Sequence, residues 1–158
     1  MCHAMNIKFL VVGKTENSYL KEGITDYAKR IVRYVNFEMS ELIIKGSSNE
    51  QKVVLQLESA KILQGLKSSD FVILLDALGE QLTSNHLSKK LEDCQNKGIS
   101  RLVFICGGAY GFGEQMYERA NMKLALSMMT FTHQMVRLIF LEQLYRAYTI
   151  MKNEKYHH

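Results

Sequence analysis

Proline is absent from this 158-residue chain, so no proline-rich spacer divides it, and no other linker or long biased tract separates its apolar runs. Cysteine is scarce. Cys2, Cys94 and Cys106 are odd in number, widely spaced and without a CxxC pair, which argues against a disulfide framework and a zinc knuckle and fits the cytoplasm. No metal site is expected. A membrane-length apolar run is also missing, because the longest stretch, Met135 to Met151, is interrupted by Arg137, Glu142, Gln143 and Arg146, residues costly to hold in a bilayer core. The amino terminus lacks the charged, apolar and small-residue order of a secretory signal, and the first apolar run, Ile7 to Val12, is too short for one. Export is therefore not expected. Met1-Cys-His-Ala reads as an extension ahead of Met5, which stands directly before the first strand. There is no arginine-rich tail either. The net charge is +4, but the basic residues are spread through Lys29-Arg30, Arg33, Lys89-Lys90, Arg137 and Arg146, so charge alone describes a solvated surface rather than a phosphate-binding patch.

What remains is a soluble globular composition, 47% hydrophobic and 23% charged, with length for one domain, residues 1–158, and a full core. Strand and helix signals alternate without internal repeats. Ile7 to Val12 reads as a buried strand ended by Gly13, and Ser18 to Tyr34 has helical spacing through Tyr19, Ile24, Tyr27 and Ile31. Phe37 to Ile44 is a second strand, Glu50 to Leu66 a second helix, and Phe71 to Leu75 a third strand, after which Gly79 breaks the chain. Ser84 reads as the N-cap of a helix running to Asn96, with Gly98 past its end. Arg101 to Cys106 is a fourth strand and Lys123 to Leu126 a short fifth. Continuous aliphatic runs separated by helices predict a three-layer α/β domain with a mainly parallel sheet covered on both faces.

Ligands in such sheets collect at the carboxyl ends of the strands. Three loops fall there: Asp76 to Gly79, Gly107 to Gly111, and Ser127 to Thr130. Glycine permits close backbone approach and positive φ, while serine and threonine add short donors and acceptors. Known nucleotide fingerprints do not fit. GxGxxG needs glycines at i, i+2 and i+5, which Gly107, Gly108, Gly111 and Gly113 do not supply, and no acid stands between Glu118 and Glu142 to hold a ribose. No Walker lysine follows. The GXXG of Gly108 to Gly111 leaves a strand, whereas the KH clamp joins two helices.

The succession LLDALG, ICGGAYGF, LSMMTFTHQMVRLIFLEQLYRAYTI and a terminal YHH resembles the RlmH family of SPOUT methyltransferases, from Met5 to nearly the end. The resemblance implies a carboxyl-terminal trefoil knot, which connection rules would have argued against. It also implies S-adenosylmethionine bent in the knotted pocket, a homodimer, and methylation of pseudouridine N3 in helix 69 of 23S rRNA in assembled ribosomes. The family's cofactor site falls on Leu75, Gly107, Leu126, Ser127, Met128, Met129, Thr130 and Phe131. Apolar side chains and open backbone suit an adenine ring and a methionine tail; read without the family, Met128 and Met129 are core filling.

Methyl transfer to a nitrogen that carries a proton calls for a base, or for a cation to stabilise charge developing on the acceptor. The groups available are His157, Arg146, Tyr156 and His133, with Arg137 nearby. His157 is the expected base, supported by Tyr156, with Arg146 on the acceptor or its phosphate. Each residue has a plainer reading: Arg146 as an ion pair with Glu142 four residues earlier, His133 as a capping contact after Thr132, and the final histidines as tag remnants. The last helix is apolar on most of its circumference, so it must be buried on more than one side; one side can meet the sheet and another a second subunit, and a core helix of a monomer is the alternative. Two other classes remain open: a non-catalytic RNA- or ribosome-binding protein, and an α/β enzyme using another nucleotide.

Overall fold

The computed structural model describes residues 4–46 and 48–157; most of the expected amino-terminal extension and His158 lie outside these. Five parallel strands form one sheet in the order β2-β1-β4-β3-β5, as the uninterrupted apolar runs predicted. The strands are β1 (Asn6–Val12), β2 (Asn36–Leu42), β3 (Phe71–Gln81), β4 (Arg101–Cys106) and β5 (Met122–Ala125), and the helices are α1 (Ser18–Ile31), α2 (Gln51–Gln64), α3 (Ser84–Asn96), α4 (Glu114–Arg119) and α5 (His133–Met151).

Strand alternation builds the two cores. Ile7, Phe9 and Val11, with Ile73, Leu75, Leu102, Phe104 and Leu124, point toward the layer that contains α1, α3 and α5. Leu10, Val12, Val72, Leu74, Val103 and Ile105 point the other way, onto Ile62 of α2 and Met116 of α4. The middle strands are therefore apolar without interruption from Phe9 to Val12, Val72 to Leu75 and Leu102 to Cys106, where neither face meets water. Phe140 of α5 fits between Phe9 and Phe104, with ring centroids 4.6 Å from each.

Two expectations need correction. Gly79 does not break the chain after β3: the strand bulges between Leu75 and Glu80 and resumes its pairing with β5. A Cβ at Gly79 would stand 2.6 Å from the Lys123 carbonyl carbon and 2.7 Å from the Leu124 nitrogen, so glycine is needed there for close backbone approach. The N-cap of α3 is Thr83, not Ser84; the Thr83 hydroxyl accepts from the His86 amide at 3.1 Å. Of the two coverings left open for α5, the chain itself supplies most: the apolar circumference is buried largely within one chain. The sheet lies beneath it, α1 closes one flank, where Gly23 leaves room for Leu138, and α3 closes the other, where the Ser88 hydroxyl donates to Ala147 O at 2.9 Å.

The carboxyl end of α5 is built to turn back. Asn153 adopts φ 56°, while the Glu154 amide donates to Thr149 O at 2.9 Å and the Asn153 amide to Ile150 O at 3.1 Å, the paired bonds of a Schellman motif. Asparagine tolerates this left-handed position better than most side chains. The reversal lays Tyr156 and His157 against α5 itself.

Candidate functional site

A cavity of about 820 Å³ opens at the carboxyl ends of β3, β4 and β5 and is closed by the start of α5, within the roughly 300–1,000 Å³ usual for small-molecule sites. Leu75, Gly107, Leu126, Ser127, Met129, Thr130, Phe131 and His133 line it. Met128 does not. It is 87% exposed, so it neither faces the cavity nor fills the core.

The glycine loop is shaped by its own backbone. Gly111 sits at φ +75° and its amide donates to Gly108 O at 3.1 Å, folding the loop so tightly that a Cβ on Gly107 would come within 2.7 Å of Gly111 O. The main chain is thereby brought to the cavity wall without a side chain in front of it. On the opposite wall, the 126–132 segment turns where the Ser127 hydroxyl accepts from the Met129 amide at 3.0 Å. It enters α5 through Thr132, whose hydroxyl caps the Met135 amide at 3.2 Å. The capping contact expected near His133 is thus made by Thr132, and the His133 imidazole faces the cavity.

Charge in the cavity is limited. Burial, and secondarily the nearby Arg137 cation, holds the His133 pKa below its usual value against an opposing pull from Glu16, so its neutral form is favoured at pH 7. The buried Cys106 thiol, which also lines the cavity, is pushed up to about 12 by burial and stays protonated. The Tyr117 hydroxyl donates to an Asp76 carboxylate oxygen at 2.5 Å. Both side chains line the wall; from sequence Asp76 is marked only as the first residue of a candidate loop, with no role of its own, and Tyr117 is not singled out. Asp76 could have been found as a charged residue at the carboxyl end of a strand; Tyr117 lies on α4, too short a helix to show a period.

Gln134 and Arg137, near the start of α5, fix the base of the cavity; Gln134 also lines it, whereas Arg137 does not. Gln134 donates to Lys14 O at 2.9 Å and accepts from the Glu16 amide at 3.0 Å. Arg137, fully buried, donates to Val12 O at 2.8 Å, Gly13 O at 3.0 Å and the Thr15 hydroxyl at 3.0 Å.

The remaining sequence-predicted residues form a second cluster. One carboxylate oxygen of Glu142 accepts from Arg146 Nε at 3.1 Å, from Arg146 Nη2 at 2.5 Å and from the Tyr156 hydroxyl at 3.1 Å. The Tyr27 and Tyr156 hydroxyls are 3.2 Å apart, and Arg146 Nη1 lies 3.3 Å from His157 Nδ1. Arg146 therefore makes the expected helical ion pair and also touches the tail. Burial, then Tyr27 and Glu142, raises the Tyr156 pKa above the ordinary phenol value, which keeps the hydroxyl a donor. None of Arg146, Tyr156 and His157 lines the cavity. Arg146 stands thirteen positions after His133 on the same helix, about 20 Å at 1.5 Å per residue, so Tyr156 and His157 do not reach the cavity of their own chain.

No helix among the described residues is long and apolar enough to cross a membrane, and no group of three or more His, Cys, Asp or Glu side chains among them could hold a metal ion.

Comparison with known proteins gives one consistent family. A family model described as "Predicted SPOUT methyltransferase" matches residues 5–157. Curated proteins named ribosomal RNA large subunit methyltransferase H are similar over nearly their whole length. That of Christiangramia forsetii is 46% identical, covering 98% of this chain and 99% of its own; that of Streptococcus pneumoniae is 41% identical, covering 97% and 99%. A solved structure titled as a probable methylase family protein from Haemophilus influenzae superimposes with a TM-score of 0.51 at 14% identity, covering 96% of this chain and 68% of that one, a likeness of fold.

Proposed function

This chain belongs to the SPOUT methyltransferase family, and from that membership we propose that it transfers a methyl group from S-adenosylmethionine to N3 of a pseudouridine in helix 69 of 23S rRNA within assembled ribosomes. It acts in the cytoplasm as a homodimer, each chain a single SPOUT domain carrying a carboxyl-terminal trefoil knot. The observation that carries this reading is the cavity, where the glycine loop, the end of β3 and the 126–131 loop converge at the carboxyl edge of the sheet, in a chain so similar to proteins named for rRNA methylation.

The walls fit the cofactor. Leu75, Leu126 and Met129 offer apolar surface for an adenine ring and a methionine tail, and Gly107, where a Cβ would collide with the loop's own backbone, leaves main-chain groups open to hydrogen-bond polar edges. Ser127, Thr130 and Phe131 complete the wall, and Met128 at the rim is available to a partner or substrate. When bound, the cofactor supplies an electrophilic methyl group on a sulfonium.

The chain's own task is to hold the acceptor nitrogen in line and to take its proton. His157 is the base. In the isolated chain Arg146 can only donate, so its contact with Nδ1 engages that lone pair and leaves the proton on Nε2. When Arg146 turns to the negative charge developing on the acceptor, or to its phosphate, Nδ1 is freed to accept the N3 proton. Tyr156, anchored on Glu142, keeps the tail in place, and His133, neutral at the cavity mouth, orients the acceptor. Because cavity and tail sit at opposite ends of α5, pairing two copies with these helices antiparallel brings each tail to the other's cavity. That is the reason for a dimer.

The test is to incubate the protein with labelled S-adenosylmethionine and either unmodified ribosomes or free rRNA. Label should appear in 23S rRNA of ribosomes. Salt-sensitive ribosome binding without methyl transfer would instead establish a non-catalytic RNA-binding protein, and a monomer by light scattering would remove the shared site.

A further inference from the structure

Among the described residues, Asp76 is the only acidic side chain in the wall of the large cavity, and no lysine or arginine lines it. The carboxylate is fixed at both oxygens. Oδ2 accepts from the Tyr117 hydroxyl at 2.5 Å and Oδ1 from the Leu78 amide at 2.8 Å. Tyr117 is itself held from behind, with Lys123 Nζ 5.4 Å from its ring centroid and Phe112 edge-on at 6.2 Å. The phenol stays protonated across the physiological range, since burial, and then the Asp76 carboxylate, pushes its pKa up to about 12; it is a permanent donor. Neutral donors hold the acid in place without neutralising it, so a net negative charge faces an otherwise uncharged, largely apolar cavity. Such a wall favours a ligand carrying positive charge.

We infer that Asp76 is the charge-selecting residue of this cavity, favouring the cationic sulfonium form of the ligand over the neutral thioether left after methyl transfer, and that Tyr117 is its positioning residue. The inference rests on the reading of the cavity as the S-adenosylmethionine site. The two ligand forms share adenine, ribose, amino and carboxyl groups, so only the charge on sulfur and the methyl group distinguish them. A carboxylate that attracts the charge lost in the reaction loosens the product relative to the next donor, and exchange is biased forward.

Calorimetric titration of the dimeric protein and its D76N and Y117F variants, with three ligands, tests this. The ligands are S-adenosylmethionine, S-adenosylhomocysteine, and the analogue in which an amine-bearing carbon replaces the methyl-bearing sulfur, which carries the charge without a sulfonium. Asparagine keeps Oδ1 as the acceptor for the Leu78 amide and can donate from Nδ2 to the Tyr117 hydroxyl oxygen, so the wall retains its shape. In D76N the two cationic ligands should weaken about tenfold, the scale of a partly solvated charge pair, while S-adenosylhomocysteine changes less than about twofold. Y117F should move the ratio the same way by a smaller factor. An equal loss for all three ligands would show that Asp76 holds a part they share, such as the ribose hydroxyls, and would overturn the inference, as would an unchanged ratio in both variants. Failure of the unaltered protein to bind any of the three would remove the cofactor reading itself, a result distinct from either.

Discussion

Arg137→Met is the substitution for which the structure dictates the largest loss of stability at a single contact set. The guanidinium is fully buried, and its partners are three main-chain carbonyls and one hydroxyl, with donor–acceptor distances from 2.8 to 3.3 Å. Burial draws its pKa below the usual arginine value, but a guanidinium remains protonated in a protein. Of the four acceptors, His133 O keeps its i+4 helical amide, which leaves Val12 O, Gly13 O and the Thr15 hydroxyl to lose a charged donor. An unsatisfied buried acceptor costs about 1–3 kcal/mol. We take the lower figure, because Gly13 is half-buried and methionine removes the cost of burying a charge, and arrive at about 3 kcal/mol in all. With a urea m-value near 2 kcal/mol per M, the unfolding midpoint falls by about 1.5 M at fixed protein concentration. Arg137→Lys retains charge but lacks the fork, and should lie between the two. A midpoint within about 0.5 M of the unaltered protein would refute the view that this side chain pins the end of β1 to α5.

Gly79→Ala drives a Cβ to within 2.6–2.8 Å of the β5 backbone at Lys123 and Leu124, which cannot move aside as a side chain would; a loss of about 2–3 kcal/mol is expected in thermal or urea unfolding, and a neutral result would mean that the bulge in β3 is soft. Asp70, whose side chain is buried against Arg101, has its pKa raised by burial but lowered more by Arg101 and the Lys67 amide, for a net value below the ordinary one. Its contribution is therefore present above the unfolded carboxylate pKa of about 3.9 and lost as pH falls through the lower native pKa. Urea midpoints of Asp70→Asn should be lower than those of the parent at pH 7, with the gap closing below about pH 4; a gap independent of pH would contradict the pairing. His157→Ala should lower turnover on ribosomes by about a hundredfold or more and leave cofactor binding intact, whereas unchanged turnover removes His157 as the base.

Strands β1, β3 and β4 can be read from sequence because Phe9 to Val12, Val72 to Leu75 and Leu102 to Cys106 are buried on both faces of the sheet, leaving in each an apolar run with no polar interruption. What lies beyond those runs depends on partners that sequence does not display. Asp76 to Gln81 has no apolar run of its own and belongs to β3 only because β5 returns alongside it, so Gly79, which permits that approach, looks like a turn residue in isolation. Helix α4 spans Glu114–Arg119, under two turns, and buries only Met116; no periodicity can emerge from one buried position. The apolar circumference of α5 was legible, but its cause was not: a second subunit and two flanking helices of the same chain produce the same pattern.

The segment from Leu126 to Arg137 was legible as a functional unit, yet it divides by direction into two. Residues 126–131, apart from Met128, and His133 turn to the cavity, whereas Gln134, which also borders it, and Arg137, spaced i and i+3 on one helical face, bond to the loop after β1. Sequence adjacency placed all of them beside the terminal Tyr156 and His157, because the eye joins polar groups that flank one helix. Helical rise separates them: the length of α5 that makes it a good core element also carries Arg146 and the tail away from the cavity. Under the proposed reading, in which His157 is the base, that base must reach the cavity from a second copy with α5 running the other way, because the helix that fills the core holds its own tail at the far end.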